Sequence, residues 1–366
     1  MTPEQYMRVA LAMARKGAGH VNPNPMVGAV VVKDSVEIAR GWHHRFGEAH
    51  AEPDALNQLT VEETRGADLY VNLEPCSFFG KTPPCTERII EAGIARVYIG
   101  MTDPNPRVSG RGVARLRAAG IDVLEGVLAS ECQKLNESFI TAMMQNRSFV
   151  TLKLAMTLDG KIALPNGKSQ WITGTASRTD VHAFRSTQDA VVTGIGTVLA
   201  DDCRLDVRHV QGPSPWRIVL DPYLDIPLHA KIIQHAETVP TVVVTGEGVK
   251  PSEKLTQLKS LGVQHWMLNE TEGRIDLEPL LKKLYDHDLH AVMVEAGRGV
   301  ATSFLKSGRV DKIRAYVAPK IFGQGLSPIG DLGLTDPADA FCMKETIMSP
   351  IGDDFLIEGR LTCLPD

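Results

Sequence analysis

Two series of short β-rich runs alternate with helical patterns along this chain, and a polar patch near Arg147 separates them. In the first series the runs are 27–34, 68–73, 95–100 and 121–126, with helical patterns in HAEPDALNQL, CTERIIEAG and VARLRAAG between them. The last two patterns close on glycine, a common helix C-cap. Strands alternating with helices imply βαβ units and a largely parallel sheet. The stretch 129–147 predicts one longer helix. The second series has strand candidates at 149–156, 189–193, 216–220, 240–245, 290–295 and 312–318, with helices around 175–186, 251–260, 276–286 and 299–307. The Gly- and Pro-rich tail after residue 320 predicts β structure near 353–362. The fold class is therefore α/β throughout, in two domains, 1–147 and 148–366, as the length of 366 residues also suggests.

The net charge is −5 and no long basic block occurs, which argues against general nucleic-acid binding but not against a small phosphorylated ligand. The N-terminus reads as a capped helix, with Thr2 as N-cap, Pro3 at the first helical position and Gln5 completing a capping box. It has neither the apolar core nor the cleavage site of a signal peptide, and no run reaches transmembrane length. The expected location is the cytoplasm, where paired cysteines more often bind metal or do chemistry than form disulfides.

The stretch LEPCSFFGKTPPC (73–85) holds Cys76 and Cys85 on either side of a short proline-bounded loop. His50 and Glu52 stand in HAE at a predicted helix start. One imidazole and two thiolates are three zinc ligands, leaving the fourth position for water. Zinc lowers the pKa of that water. Glu52, two residues past the imidazole, is then free to carry protons to a leaving amine. This is the chemistry of zinc-dependent deamination of a nucleobase, although the usual Cys-x-x-Cys is here widened to eight intervening residues. A disulfide, or two buried apolar thiols, are the competing readings. Cys132, Cys203, Cys342 and Cys363 are isolated and read as structural or incidental. Upstream, VNPNPMVG (21–28) offers Asn24 as donor and acceptor and Gly28 for close packing, while GWHH presents His43 near the end of a hairpin.

In the second half, AVMVEAGRGVATSFLKSG (291–308) predicts a strand, a glycine loop and a helix. Gly297 and Gly299 would bring backbone N–H groups to an anion, with Arg298 adding charge. GIGTVLADD (194–202) has GxG but lacks the rest of a Rossmann fingerprint. Arg185 and Arg208 suit a ribose phosphate, Trp171 a ring, and Asp201 and Glu295 sugar hydroxyls. A surface arginine, a core tryptophan and a helix-capping aspartate are the plainer alternatives.

Taken in order, NPNPMVG, GWH, HAE, LEPCSFFGKTPPC and DPNPRVSGRG resemble the N-terminal half of the RibD/RibG family of bifunctional riboflavin-biosynthesis enzymes. KLAMTLDGKIA, SQWITG and GTVLADD resemble its reductase half, so that the likeness runs to about residue 360. The resemblance implies a cytidine-deaminase-like three-layer domain followed by a dihydrofolate-reductase-like one. It implies one zinc ion per chain held by His50, Cys76 and Cys85, with Glu52 as proton shuttle and with Asn24 and His43 in the deaminase pocket. It further implies NADPH near Ala155, Trp171, Thr197, Asp201, Gly297, Arg298 and Gly299, and substrate near Lys153, Ser169, Arg185, Leu205, Arg208 and Glu295. The substrate would be a small pyrimidine ribose phosphate, and the enzyme a homodimer or larger. Three departures stand out. Phe78 follows Ser77 where the family usually has His, Pro53-Asp54 follow HAE, and Cys203 and Asp206 replace a proline and a threonine. The alternatives are a family member with only one active half, a zinc deaminase of another nucleobase or of nucleic acid, and a non-catalytic zinc module.

Overall fold

A computed structural model describes residues 1–80, 83–106 and 108–362. Lys81, Thr82, Arg107 and Cys363 thus lie outside the described residues. The chain forms two compact units, Met1–Asn146 and Arg147–Asp366.

The first unit has strands β1 (Gly28–Lys33), β2 (Val36–Trp42), β3 (Asp68–Leu73), β4 (Arg96–Met101) and β5 (Asp122–Glu125). Its helices are α1 (Pro3–Ala14), α2 (Ala51–Leu56), α3 (Val61–Thr64), α4 (Cys85–Glu91), α5 (Arg111–Ala118), α6 (Ala129–Leu135) and α7 (Glu137–Gln145). The strand order is β2-β1-β3-β4-β5. Only β3, β4 and β5 run parallel; β1 is antiparallel to both β2 and β3, so the sheet is mixed rather than largely parallel. The reason is the tight turn at Asp34 and Ser35, both with positive φ, which folds β2 straight back. Alternate residues of β1 serve two cores. Ala29 and Val31 pack with Leu56, Ile89 and Leu116, whereas Val30 and Val32 pack with Met7, Leu11 and Tyr70. A sheet covered on both faces needs this unbroken apolar run.

Two glycines set helix positions. A Cβ on Gly28 would lie 2.1 Å from the Ala10 carbonyl oxygen, so α1 rests on bare backbone. A Cβ on Gly41 would lie 2.4 Å from the Ala55 nitrogen, and α2, which carries Glu52, is seated the same way. The single helix expected over 129–147 is two helices. Asn136 breaks it, because its side chain accepts from the Met26 N–H (2.8 Å) and donates to the Met26 carbonyl (3.0 Å).

The second unit has strands β6 (Phe149–Thr157), β7 (Ala190–Gly194), β8 (Trp216–Leu220), β9 (Thr241–Gly246), β10 (Val263–Leu268), the short pair β11 (Glu270–Thr271) and β12 (Arg274–Ile275), β13 (Ala291–Val294), β14 (Lys312–Ala318), β15 (Cys342–Ile351) and β16 (Asp354–Thr362). Its helices are α8 (Thr175–Arg185), α9 (Ile195–Asp201), α10 (Lys231–Gln234), α11 (Glu253–Ser260), α12 (Leu277–Asp286) and α13 (Arg298–Lys306). Nine strands form one sheet in the order β10-β9-β8-β7-β13-β6-β14-β16-β15. The first seven are parallel, and β16 and β15 add an antiparallel edge. The strand β13 enters between β7 and β6, so the ends of β7 and β13, carrying Gly194 and Glu295, stand side by side. Clefts form at such switch points. The GxG at 194–196 opens helix α9 rather than a loop. No described helix is long and apolar enough to cross a membrane.

Candidate active sites

Three donors converge in the first unit. His50 is the N-cap of α2, and Cys85 opens α4 behind Pro84. The His50 Nδ1 lies 3.3 Å from the Cys85 Sγ and 3.6 Å from the Cys76 Sγ. The Cys85 N–H donates to the Cys76 sulfur at 3.4 Å. All three donor atoms lie within 4.8 Å of one another, and both cysteines are free thiols, which disposes of the disulfide. The adjoining Cys85 thiol and the His50 imidazole hold the Cys76 thiol well below the ordinary thiol range. Proximity to Cys76, and then burial, hold the Cys85 thiol up. Two thiols with room for one negative charge between them invite a dication, and soft sulfur with imidazole fits zinc.

Glu52 sits inside the first turn of α2, 3% exposed, beside the thiols, and burial pushes its carboxyl above the usual range. Pro53 occupies an early helical position, where it breaks no bond. Asp54 accepts from the Trp42 N–H (3.0 Å) and pairs with His44 (3.1 Å), bracing both sides of His43. His43 is buried, and burial lowers its pKa. Its Nδ1 meets the Ala49 carbonyl at 2.9 Å and its Nε2 meets the Asn24 Nδ2 at 3.0 Å. That network assigns a neutral ring with the proton on Nδ1, and it leaves the Asn24 carbonyl oxygen for a ligand.

A cavity of about 130 Å³ joins these groups; Asn24, His43, His50, Glu52, Cys76 and Phe78 line it. Asp103, Asn105 and Phe139 complete the wall. A second cavity of about 190 Å³ shares Asn24, His50, Cys76 and Phe78 and leads outward past Phe46. Phe78 thus presents a ring to the pocket where the family pattern has a polar side chain. Asp103 and Asn105 were missed as site residues, though DPNP (103–106) echoes NPNP (22–25), with Asn105 matching Asn24. Burial raises the Asp103 carboxyl to about 6.

The loop bearing Asp103 is hung on Glu74. This buried carboxylate accepts the N–H groups of Asp103 (3.2 Å), Gly110 (2.9 Å), Gly112 (2.9 Å) and Val113 (3.2 Å). Glu74→Gln turns an amide toward these donors, so thermal stability should fall by about 2 kcal/mol. An unchanged melting curve would contradict the anchoring role.

The second unit holds a cleft of about 650 Å³. Lys153, Ala155, Ser169, Trp171, Arg185 and Asp201 line it, as do Leu205, Arg208 and Glu295. Glu295 lies at its floor, accepting from Arg185 Nη2 (2.7 Å) and Lys153 Nζ (3.0 Å). Ser169 donates to Asp201 at 3.3 Å. Trp171 is exposed, but Arg178 covers one ring face at 4.6 Å, leaving the other for a planar ligand. Thr197, Gly297, Arg298 and Gly299 are not among the cleft's lining residues. They lie at the starts of helices α9 and α13, where the Gly297 N–H donates to the Thr197 hydroxyl at 3.0 Å. The Gly297 N–H expected to meet an anion is therefore already taken. Cys203 lines the cleft, and burial raises its thiol to about 12, so it is inert there. Cys132 is buried and Cys342 exposed, and among the described residues neither belongs to a group of three potential metal ligands.

Residues 1–101 match the cytidine and deoxycytidylate deaminase zinc-binding region, and residues 148–357 match the RibD C-terminal domain. The riboflavin biosynthesis protein RibD of Aquifex aeolicus is 45% identical over 355 residues, 97% of each chain. The Escherichia coli protein of the same name is 38% identical, covering 97% of this chain and 98% of its own. Among solved structures, Acinetobacter baumannii RibD superposes with a TM-score of 0.86 at 36% identity, covering 98% of this chain and 99% of its own. A Thermotoga maritima structure described as a diaminohydroxyphosphoribosylaminopyrimidine deaminase/5-amino-6-(5-phosphoribosylamino)uracil reductase does so at 0.85 and 39%, covering 98% and 99%.

Proposed function

Because the chain belongs to the RibD family of riboflavin-biosynthesis deaminase–reductases, we propose that its two units carry out two successive steps on one pyrimidine ribotide. Residues 1–147 would remove the 2-amino group of 2,5-diamino-6-(5-phosphoribosylamino)pyrimidin-4(3H)-one. Residues 148–366 would then reduce the ribose of 5-amino-6-(5-phosphoribosylamino)uracil to a ribityl chain. The observation that carries the first step is the meeting of His50, Cys76 and Cys85 around one point, with Glu52 buried beside it.

His50, Cys76 and Cys85 would hold one zinc ion. Bound there, zinc supplies the Lewis acidity that lowers the pKa of an attacking water. As the water oxygen bonds to C2, Glu52 takes one of its protons and delivers it to the ring nitrogen; it then carries the proton of the new hydroxyl to the amine, so that the C–N bond breaks, ammonia leaves and a carbonyl remains at C2. The Asn24 carbonyl oxygen accepts from the ring, held in place by His43. Phe78 packs against the pyrimidine face.

In the second unit Trp171, Asp201, Thr197 and Gly297 would hold NADPH, which would supply a hydride for the open-chain sugar. Lys153 and Glu295 meet the sugar's reacting end, Ser169 its hydroxyls, and Arg185, Leu205 and Arg208 its phosphate side. Arg208→Ala should raise KM for the ribotide roughly tenfold through loss of charge-assisted bonds, leaving NADPH affinity unchanged. An equal loss of both would remove Arg208 from the substrate side. The overall reading is tested by following ammonia release and NADPH oxidation separately with the diamino ribotide; absence of both sinks it. The enzyme is expected to work in the cytoplasm as a homodimer or larger assembly, which light scattering checks.

A further inference from the structure

Asp206 looks at first like a misplaced charge, an acid beside a phosphate-binding arginine. Its surroundings point the other way. The Asp206 side chain is 7% exposed, whereas Arg204 and Arg208 are 39% and 43% exposed. Its Oδ2 accepts from Arg204 Nε (2.8 Å) and lies 2.6 Å from Arg204 Nη2 in an ion pair, and its Oδ1 accepts from Arg208 Nη1 (2.5 Å). Burial opposes its ionisation, but the bonds from Arg208 and Arg204 outweigh burial and hold the carboxyl below its usual range. The backbone is fixed as firmly: Arg185 Nη1 donates to the Asp206 carbonyl at 2.6 Å, and Arg217 Nη1 to the Arg204 carbonyl at 3.0 Å. Arg204 and Arg208 both line the cleft. Among the described residues, Arg208 Nε and Nη2 and Arg204 Nη1 have no protein partner.

We propose that Asp206 is a positioning residue that yokes Arg204 and Arg208 into a two-guanidinium clamp for the substrate's phosphate monoester, with Arg204 as its second cation. The inference rests on the reductase reading of this unit. The carboxylate lies beneath the guanidiniums, so an incoming phosphate meets donors first. The trio carries a net charge of +1, and two flexible side chains are ordered before binding, which removes an entropic cost of association. A bare acid would instead repel the phosphate, so the two accounts predict opposite signs for the loss of the charge.

The test uses the full chain, NADPH, and the aminouracil ribotide beside its dephosphorylated riboside. Arg204→Gln and Asp206→Asn should each raise KM for the ribotide about fivefold, with kcat within about twofold and the riboside unaffected. Arg204 is exposed, so its variant folds whatever the fate of Asp206→Asn, and a melting curve checks both. Equal or tighter ribotide binding by Asp206→Asn would overturn the yoke, and an unchanged KM for Arg204→Gln would overturn the clamp. A loss confined to NADPH, with NADH unaffected, would move the clamp to the cofactor and overturn its assignment to substrate. Wild-type protein that reduces neither substrate sinks the reductase reading instead. Calorimetry with inorganic phosphate then decides the clamp alone: weaker binding by both variants supports it, and equal binding overturns it.

Discussion

Glu52→Gln should cut ammonia release by roughly 10³-fold, within the range for loss of a general acid–base, while the protein keeps its zinc. The substitution is nearly isosteric in a site where Glu52 is 3% exposed, so packing is preserved. What disappears is the capacity to take a proton from water and return it to the amine. The three residues whose geometry could hold a metal ion are His50, Cys76 and Cys85, and Glu52 is outside that set. Metal analysis of the purified variant therefore separates the roles. Lost zinc together with lost activity would make Glu52 a ligand or a structural support, and the proposed proton path would have to be abandoned. NADPH oxidation with deaminated substrate should continue at the wild-type rate, because that step belongs to the other compact unit.

The second large effect is expected in the other unit. Glu295 binds Arg185 and Lys153, whose side chains are only 5% and 13% exposed. Glu295→Gln leaves two nearly buried cations without their counter-charge, and breaking such a cluster costs about 3 kcal/mol. Thermal unfolding should register that loss, and ribotide reduction should fall steeply while ammonia release persists. The pH dependence has a definite sign. Burial raises the Glu295 carboxyl, but Arg185 and Lys153 outweigh burial and hold it well below the usual carboxylate range. Its contribution is thus present above the unfolded carboxylate pKa and is lost as pH falls through the lower folded value. Wild type and variant should differ most near neutral pH and converge in strong acid. A constant difference across that range would mean that the charge is not what stabilises the cluster.

The parts of the structure that could be read from sequence are those written locally. The strand at 190–194 is fully buried, and those at 149–157, 216–220 and 312–318 are short runs rich in apolar and β-branched residues, so their pattern needs no knowledge of partners. His50, Glu52, Cys76 and Cys85 stand close enough in sequence, with prolines to mark the loop, that their chemistry announces itself. The break at Asn136 was invisible because helical periodicity continues through it, and its cause is Met26, 110 residues away. Asp103 and Asn105 reach the pocket only through the loop that Glu74 gathers by four N–H bonds, a long-range fact, and Phe139 reaches it from helix α7. Asp206 reads as a liability in sequence and becomes a scaffold only when Arg204 and Arg208 are seen above it. The Gly297 loop misled in the other direction: its glycines suggested free N–H groups, and Thr197 occupies one of them.

One mass spectrum bears on the central claim most directly. The full-length protein, loaded with zinc, is incubated with the diaminopyrimidinone ribotide and NADPH, and the product is weighed. The expected product carries both an amine-to-oxygen exchange and the gain of one hydride and one proton. Exchange alone would contradict the reductase assignment. An unchanged substrate mass, from protein shown to contain its zinc, would contradict the deaminase assignment on which the whole sequence of steps depends.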